Sequence, residues 1–274
     1  MFLGGLSSLL YGVGDFLGGE GAKRVSAATV VVWAGVVSLP VIAIVAVSIG
    51  GETVARDWWY GAIAGSMGGL GLVALFTGLG RGHAAAVAPA AAAVGAVFPV
   101  AVAVLRGDSL SALTWLGVTV AIPAIVLCSW VAEPGDTPAG GLWYGVVAGL
   151  GFGSYTVVID LTSSTSNLLP LIPARGAPIG IVVVISLTGV WRIHSFARSP
   201  RAIVVANGVL DAGGNVALLA GLRSGSLAAV AVAASFYPAV TVMMARMINR
   251  EHLRGRQLAG LALTLAALAA IAVG

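Results

Sequence analysis

Three ionisable side chains stand inside long apolar runs of this sequence: Asp15, Arg175 and Asp211. A charge at the centre of a membrane span costs about 2.5–3.5 kcal/mol on insertion scales, so each is a functional hypothesis by default. Asp211 and Asn215 are four residues apart and share a helical face, with Asn207 one turn the other way. The three make a polar stripe on a segment otherwise built of Val, Leu, Ala and Gly. Such a stripe can hold a cationic group, a coupling proton or the charged ends of a zwitterion, with Arg175 taking an anionic group. Alternatively Arg175 simply neutralises Asp211, since intramembrane charges usually pair. Asp15 lies five residues before Glu20, which leaves room for it to sit solvated near the headgroups. The run Gly12-Val13-Gly14-Asp15 matches the Gly-x-Gly-Asp signature of intramembrane aspartyl proteases. That chemistry needs two carboxylates sharing a proton, and the Tyr-Asp partner motif is absent. Among mid-span aromatics, Tyr237 next to Pro238 offers a wall and a kink, and Trp33 and Tyr155 offer further π-faces for an apolar or cationic ligand.

The elements that must carry these groups follow from composition. Of 274 residues 59% are apolar and 9% charged, against about a quarter charged in soluble domains. A soluble enzyme, a disordered regulator and a nucleic-acid binder are excluded on that ground. Apolar stretches cover approximately 2–20, 25–49, 58–80, 84–105, 111–131, 141–160, 168–190, 202–222, 226–248 and 257–273. Ten spans with short connectors make an all-α, multi-pass integral membrane protein. The first lacks a basic leader and a small-residue cleavage site, and reads as a retained helix. Trp58, Trp59, Trp115, Trp130, Trp143 and Trp191 all fall at span ends, where an interfacial belt would put them. A single cysteine, Cys128, excludes a disulfide framework. His83, His194 and His252 do not cluster at metal-ligand spacing, and no Gly-rich stretch ends in Gly-Lys-Ser/Thr. No metal, cofactor or intrinsic nucleotide hydrolysis is therefore expected.

A shift of 143 residues superposes the two halves: over Gly71–Ala91 against Gly214–Ala234, 13 of 21 positions are identical. The same offset carries Asp108 onto Glu251 and Gly117 onto Gly260, and places Gly68 opposite Asp211, so the polar stripe belongs to one half. Five spans per copy is an odd number, so the second enters from the opposite face: two inverted five-helix repeats, 1–132 and 141–274. Asp108 and Glu251 read best as helix N-terminus contacts for the following spans.

With the motifs Tyr11-Gly12-Val13-Gly14-Asp15-Phe16-Leu17-Gly18-Gly19, Ala88-Pro89, Phe98-Pro99, Gly107-Asp108, Leu116-Gly117, Ser235-Phe236-Tyr237-Pro238, Arg250-Glu251 and Gln257-Leu258-Ala259-Gly260, the chain resembles the EamA family of the drug/metabolite transporter superfamily. It departs at Asp108, where the family's usual residue after glycine is Glu, and at Arg250, where the glycine is lost. The resemblance implies a midplane site lined by the first, third, fourth, sixth, eighth and ninth spans, and cytoplasmic termini. The charge count runs the other way. Arg56, Arg106 and Arg223 share the face of the termini, whereas Lys23, Arg24, Arg81, Arg192, Arg198, Arg201, Arg246, Arg250, Arg254 and Arg256 share the opposite face. By the positive-inside rule the termini lie outside.

The expected activity is non-enzymatic: secondary transport of a small metabolite or drug, an amino acid-like zwitterion foremost, across the cell membrane by alternating access, ion- or proton-coupled and plausibly efflux. The expected site is Asp15, Trp33, Arg175, Asp211, Asn215 and Tyr237. Expected partners are the small-molecule substrate and the lipid bilayer, with no nucleic acid; a monomer is expected, and a homodimer is compatible with the sequence. A lipid scramblase or a membrane assembly subunit is the alternative.

Overall fold

Long runs of Ala, Val, Leu and Gly in lipid have no water for their backbone amides, so helix is the means of satisfying them. A computed structural model of the chain describes residues 2–81, 83–105, 111–129, 138–224, 234, 237–249 and 255–273, and contains no strand among them. The helices are α1 (Phe2–Ala22), α2 (Ala27–Ile49), α3 (Ala55–Gly80), α4 (Ala84–Leu105), α5 (Ala112–Ser129), α6 (Pro138–Asp160), α7 (Leu171–Leu187), α8 (Arg201–Ser224), α9 (Tyr237–Asn249) and α10 (Gly255–Val273). Asp108, Trp130, Ser235, Phe236, Arg250, Glu251 and His252 lie outside the described residues. Among the described residues four helices are long and apolar enough to cross a membrane: Ala27–Ile49, Ala55–Gly80, Gly141–Asp160 and Arg201–Gly221. Ile44, Val47, Val184, Leu187 and Met247 are exposed on the outside, an apolar exterior that suits lipid and not water.

The helix ends follow local chemistry. Ser26 caps α2, its Oγ accepting from the Thr29 amide at 3.2 Å, and Gly50 ends that helix at a φ of 77°. The seventh segment, expected over 168–190, is helical only over Leu171–Leu187: Pro170 stands immediately before its start and Gly189, at a φ of 81°, follows its end.

Packing interleaves the early and late helices. The main pairs are α1 with α8 and α9, α3 with α6 and α7, α2 with α7 and α8, α4 with α6, and α5 with α10. One core, around Phe16, Val30, Val73, Leu75, Phe76 and Val87, joins α1 to α4. A second, around Ile42, Leu168, Leu171 and Leu219, seals the opposite end between α2, α7 and α8.

The closest approach is between α3 and α7. Gly61, Gly65 and Gly69 recur every four residues along α3 and meet Pro170, Ala174 and Pro178, which recur every four along the facing stretch. A Cβ on Gly65 would run into the Ala174 carbonyl.

A charge placed in a connector by the sequence turns out to be buried. Asp57, in the first turn of α3, is fully enclosed. Its Oδ2 accepts from the Ser163 amide at 2.9 Å and from the Ser166 hydroxyl at 2.6 Å, so the α6–α7 connector folds over the start of α3. Beside it, Arg223 on α8 donates to the Thr162 hydroxyl at 3.0 Å.

These contacts rank two glycines. Gly65→Ala is expected to destabilise the protein by about 1–3 kcal/mol through overpacking. Gly180→Ala on the outer face of α7, where an added Cβ meets nothing within 4 Å, should be tolerated. Thermal unfolding in detergent, followed by monodispersity on size exclusion, checks the ordering.

Candidate functional site

Pro173 and Pro178 frame Arg175 on α7, and the tight α3 contact holds that helix against the bundle. From there the Arg175 Nη2 reaches Asp211 Oδ2 on α8 at 2.7 Å, with the two side chains only 11% and 15% exposed. Asn215, one turn along α8, donates from Nδ2 to the Asp211 backbone carbonyl at 2.8 Å and to Oδ1 at 3.3 Å. Its Oδ1 accepts from the Tyr155 hydroxyl on α6 at 3.1 Å. One continuous chain, Tyr155–Asn215–Asp211–Arg175, thus ties α6, α8 and α7 together.

Asp15 enters from α1 and is 8% exposed, so it is not solvated near the headgroups. α1 is fixed there by donors to its backbone. Asn207 Nδ2 on α8 bonds the Gly14 carbonyl at 2.7 Å, and Thr241 Oγ1 on α9 bonds the Gly12 carbonyl at 3.0 Å. Further along, Ser7 Oγ bonds the Gly214 carbonyl at 3.0 Å. Among the described residues no hydrogen-bond donor or cation pairs with the Asp15 carboxylate, although it feels the charge of Asp211.

Asp15, Arg175, Asp211, Asn207 and Tyr11 line one cavity with Val31, Ala34 and Gly35 of α2 and Leu72 and Phe76 of α3. Its walls are therefore α1, α2, α3, α7 and α8. Of the expected lining the first, third and eighth spans are here; among the described residues the fourth, sixth and ninth give nothing to these walls, and α2 and α7 stand in them. The cavity holds about 10 Å³, room for a single water molecule at most, so the site is closed around its charges. With all three groups ionised, one cation against two carboxylates leaves a net charge of −1.

The six expected residues divide. Asp15, Arg175 and Asp211 meet in the cavity, and Asn215 supports Asp211 from behind. Tyr237 begins α9, half-buried, close enough to Asp15 for the two to interact electrostatically. Trp33 does not join them. Its Nε1 donates to the His194 carbonyl at 2.9 Å and its ring leans on Phe196 at 5.3 Å, so it anchors the α7–α8 connector instead. Tyr11 was not expected among the site residues. Its only signal is its position four residues before Asp15, hence on the same helical face.

A buried pair whose partner is removed leaves an uncompensated charge, which costs about 3–5 kcal/mol. Arg175→Gln alone is therefore expected to lower thermal stability more than the double change Arg175→Gln with Asp211→Asn. A double-mutant cycle of unfolding midpoints would show this as recovery in the double variant, and strict additivity would refute the coupling.

Comparison with known proteins adds one finding: residues 139–273, from the start of α6 to the end of α10, match the model of the EamA-like transporter family. No curated protein matches the chain. The apolar helices and this match together make it an integral membrane protein. On that match residues 139–273 belong to the EamA-like transporter family, part of the DMT superfamily of drug and metabolite transporters.

Proposed function

We propose that this membrane protein is a secondary transporter of two inverted five-helix repeats, residues 1–132 and 141–274, moving a small metabolite or drug across the cell membrane by alternating access. The family supports transport of the DMT type. Helix pairing supports the repeat: α1 meets α8 and α9 as α6 meets α3 and α4, and α2 meets α8 as α7 meets α3. Exchanging the halves exchanges each pair for the other, which is the pattern expected of two copies related by a pseudo-two-fold axis.

The observation that carries the mechanism is the unequal pairing of the site's carboxylates. Arg175 is committed to Asp211 at 2.7 Å, while Asp15 has no cation beside it among the described residues. A buried net charge of −1 is costly to move across a bilayer, so the empty carrier needs one positive charge on Asp15. A proton fills that role in a cavity of about 10 Å³. An ammonium or other organic cation replaces it when the site opens, with the rings of Tyr11 and Tyr237 near the charge. The exchange of one for the other keeps every crossing electroneutral in the site and drives efflux down a proton gradient. An amino acid-like zwitterion fits the same geometry if its carboxylate displaces Asp211 from Arg175, its ammonium meets Asp15, and a proton neutralises the freed Asp211 carboxylate. A scramblase or assembly subunit has no use for three charges gathered in a closed cavity.

In proteoliposomes with an imposed pH gradient, a panel of organic cations and amino acids should give saturable flux with wild-type protein. Asp15→Asn is expected to abolish the proton-driven part while the protein remains monodisperse. Undiminished proton-driven flux in that variant would remove Asp15 from the mechanism.

A further inference from the structure

A second and much larger cavity lies on the other side of α3 from the charged site. It is a groove of about 630 Å³ between the α1–α2 junction, the last turns of α3, the first turns of α6 and Trp191 beyond α7. All these helix ends belong to the face that carries the excess of Lys and Arg, so the mouth of the groove opens at that face. Along α3 it is lined from Gly80 to Leu70, ten residues and so about 15 Å of helix running inward.

The lining changes character with depth. Inside are Leu70, Val73, Ala74 and Val147; at the mouth are Arg81, Tyr144, Trp143, Trp191 and, in the first turn of α2, Ala27 and Ala28. The two aliphatic hydroxyls of the lining have their O–H engaged. Thr77 Oγ1 donates to the Val73 carbonyl at 2.6 Å, and Ser26 caps α2 and bonds the Arg192 carbonyl. Neither has an O–H left to donate to a polar solute. The polar group left at the mouth is the Arg81 guanidinium, which donates one N–H to the Tyr144 hydroxyl and lies over its ring, 4.9 Å from the centroid. One bond to tyrosine leaves most of its five donors for a ligand. Lys23, Arg24 and Arg192 come within a few residues of the lining. Trp143, 64% exposed, marks the rim at the depth where indole rings sit between lipid chains and headgroups.

An aliphatic slot with the Arg81 guanidinium at its interfacial end is complementary to an amphiphile with one anionic head and a flexible chain. We propose that this groove is a binding site for an anionic phospholipid of the leaflet facing the basic side, with one acyl chain beside Leu70, Val73 and Val147 and its phosphate on Arg81. α3 is the shared wall. Leu72 and Phe76 turn to the charged cavity, whereas Val73, Ala74 and Thr77 turn to the groove. An acyl chain there buttresses α3 from behind and holds the closed packing around Asp15 and Arg175. This site is separate from the transport reading and stands or falls without it.

The test is native mass spectrometry of the detergent-purified full chain titrated with dioleoyl phosphatidylglycerol and with dioleoyl phosphatidylcholine. Wild type is expected to retain phosphatidylglycerol over phosphatidylcholine. Arg81→Ala should lower that retention to the phosphatidylcholine level and Arg81→Lys should restore part of it. Ala74→Phe, which fills the slot and leaves Arg81 in place, should lower retention of both lipids. Equal retention of the two lipids by wild type, or selectivity unchanged in Arg81→Ala, would overturn the proposal. So would displacement of phosphatidylglycerol by glycerol phosphate at matched concentration, because the chain would then contribute nothing.

Discussion

The ion pair between Arg175 and Asp211 is the constraint around which the bundle is arranged. Neither charge is tolerable alone in a medium that offers no water, and the pair is worth having only with good geometry and satisfied lone pairs. At 2.7 Å, with Asn215 donating to the second carboxylate oxygen, both conditions hold. Meeting them dictates where whole helices go. α7 must present Arg175 to α8, which the glycine stripe of α3 permits by letting α7 lie backbone-close. α6 must bring Tyr155 to the far side of Asn215. The short, proline-framed α7 is thus held on two sides by requirements that originate in one charge.

Asp15 is the departure from this economy. The donors on α8 and α9 that hold α1 go to the Gly14 and Gly12 carbonyls and bypass the carboxylate. A structural aspartate would be expected to collect those bonds, as Asp57 does from Ser163 and Ser166. Two buried aspartates in one chain therefore receive opposite treatment. The one at the start of α3 is tied to a connector and fastens it; the one on α1 faces a cavity and keeps its lone pairs uncommitted, the state a group needs if its partner is to change.

Helix positions were legible because lipid enforces them: an apolar run long enough to span has one way to satisfy its backbone, and each of α1–α10 lies on one apolar segment, overrunning it by at most three residues. Arg175 and Asp211 were legible for the complementary reason that charge is conspicuous where water is missing. Spacing placed Asn207 and Asn215 on the face of Asp211 but not their partners, since Asn207 bonds a backbone carbonyl that no residue type announces. The depth of Asp15 was ambiguous because linear distance from Glu20 says nothing about how α1 packs on α8. Trp33 misled for a related reason. Its place within an apolar run gives no hint that residues 192–198 fold back to receive its indole N–H. Asp57 falls outside the apolar segments, and its burial depends on a contact with residues 163–166, more than a hundred positions away.

On the two-repeat reading, the positions paired by the offset let one scaffold serve packing in one copy and hold charge in the other. The offset of 143 residues sets Gly68 on α3 against Asp211 on α8, and Leu72 against Asn215. Gly68 is not idle: the Tyr155 ring lies against its backbone, 3.2 Å from where a Cβ would stand. That ring could not approach α3 past a carboxylate, and its hydroxyl is the group that bonds Asn215. The loss of a side chain at one position and the presence of charge at its counterpart are therefore coupled through a single tyrosine. On the two-repeat reading, divergence at these positions needed to proceed together, because an acidic residue on α3 would push out Tyr155 and strip Asn215 of its donor.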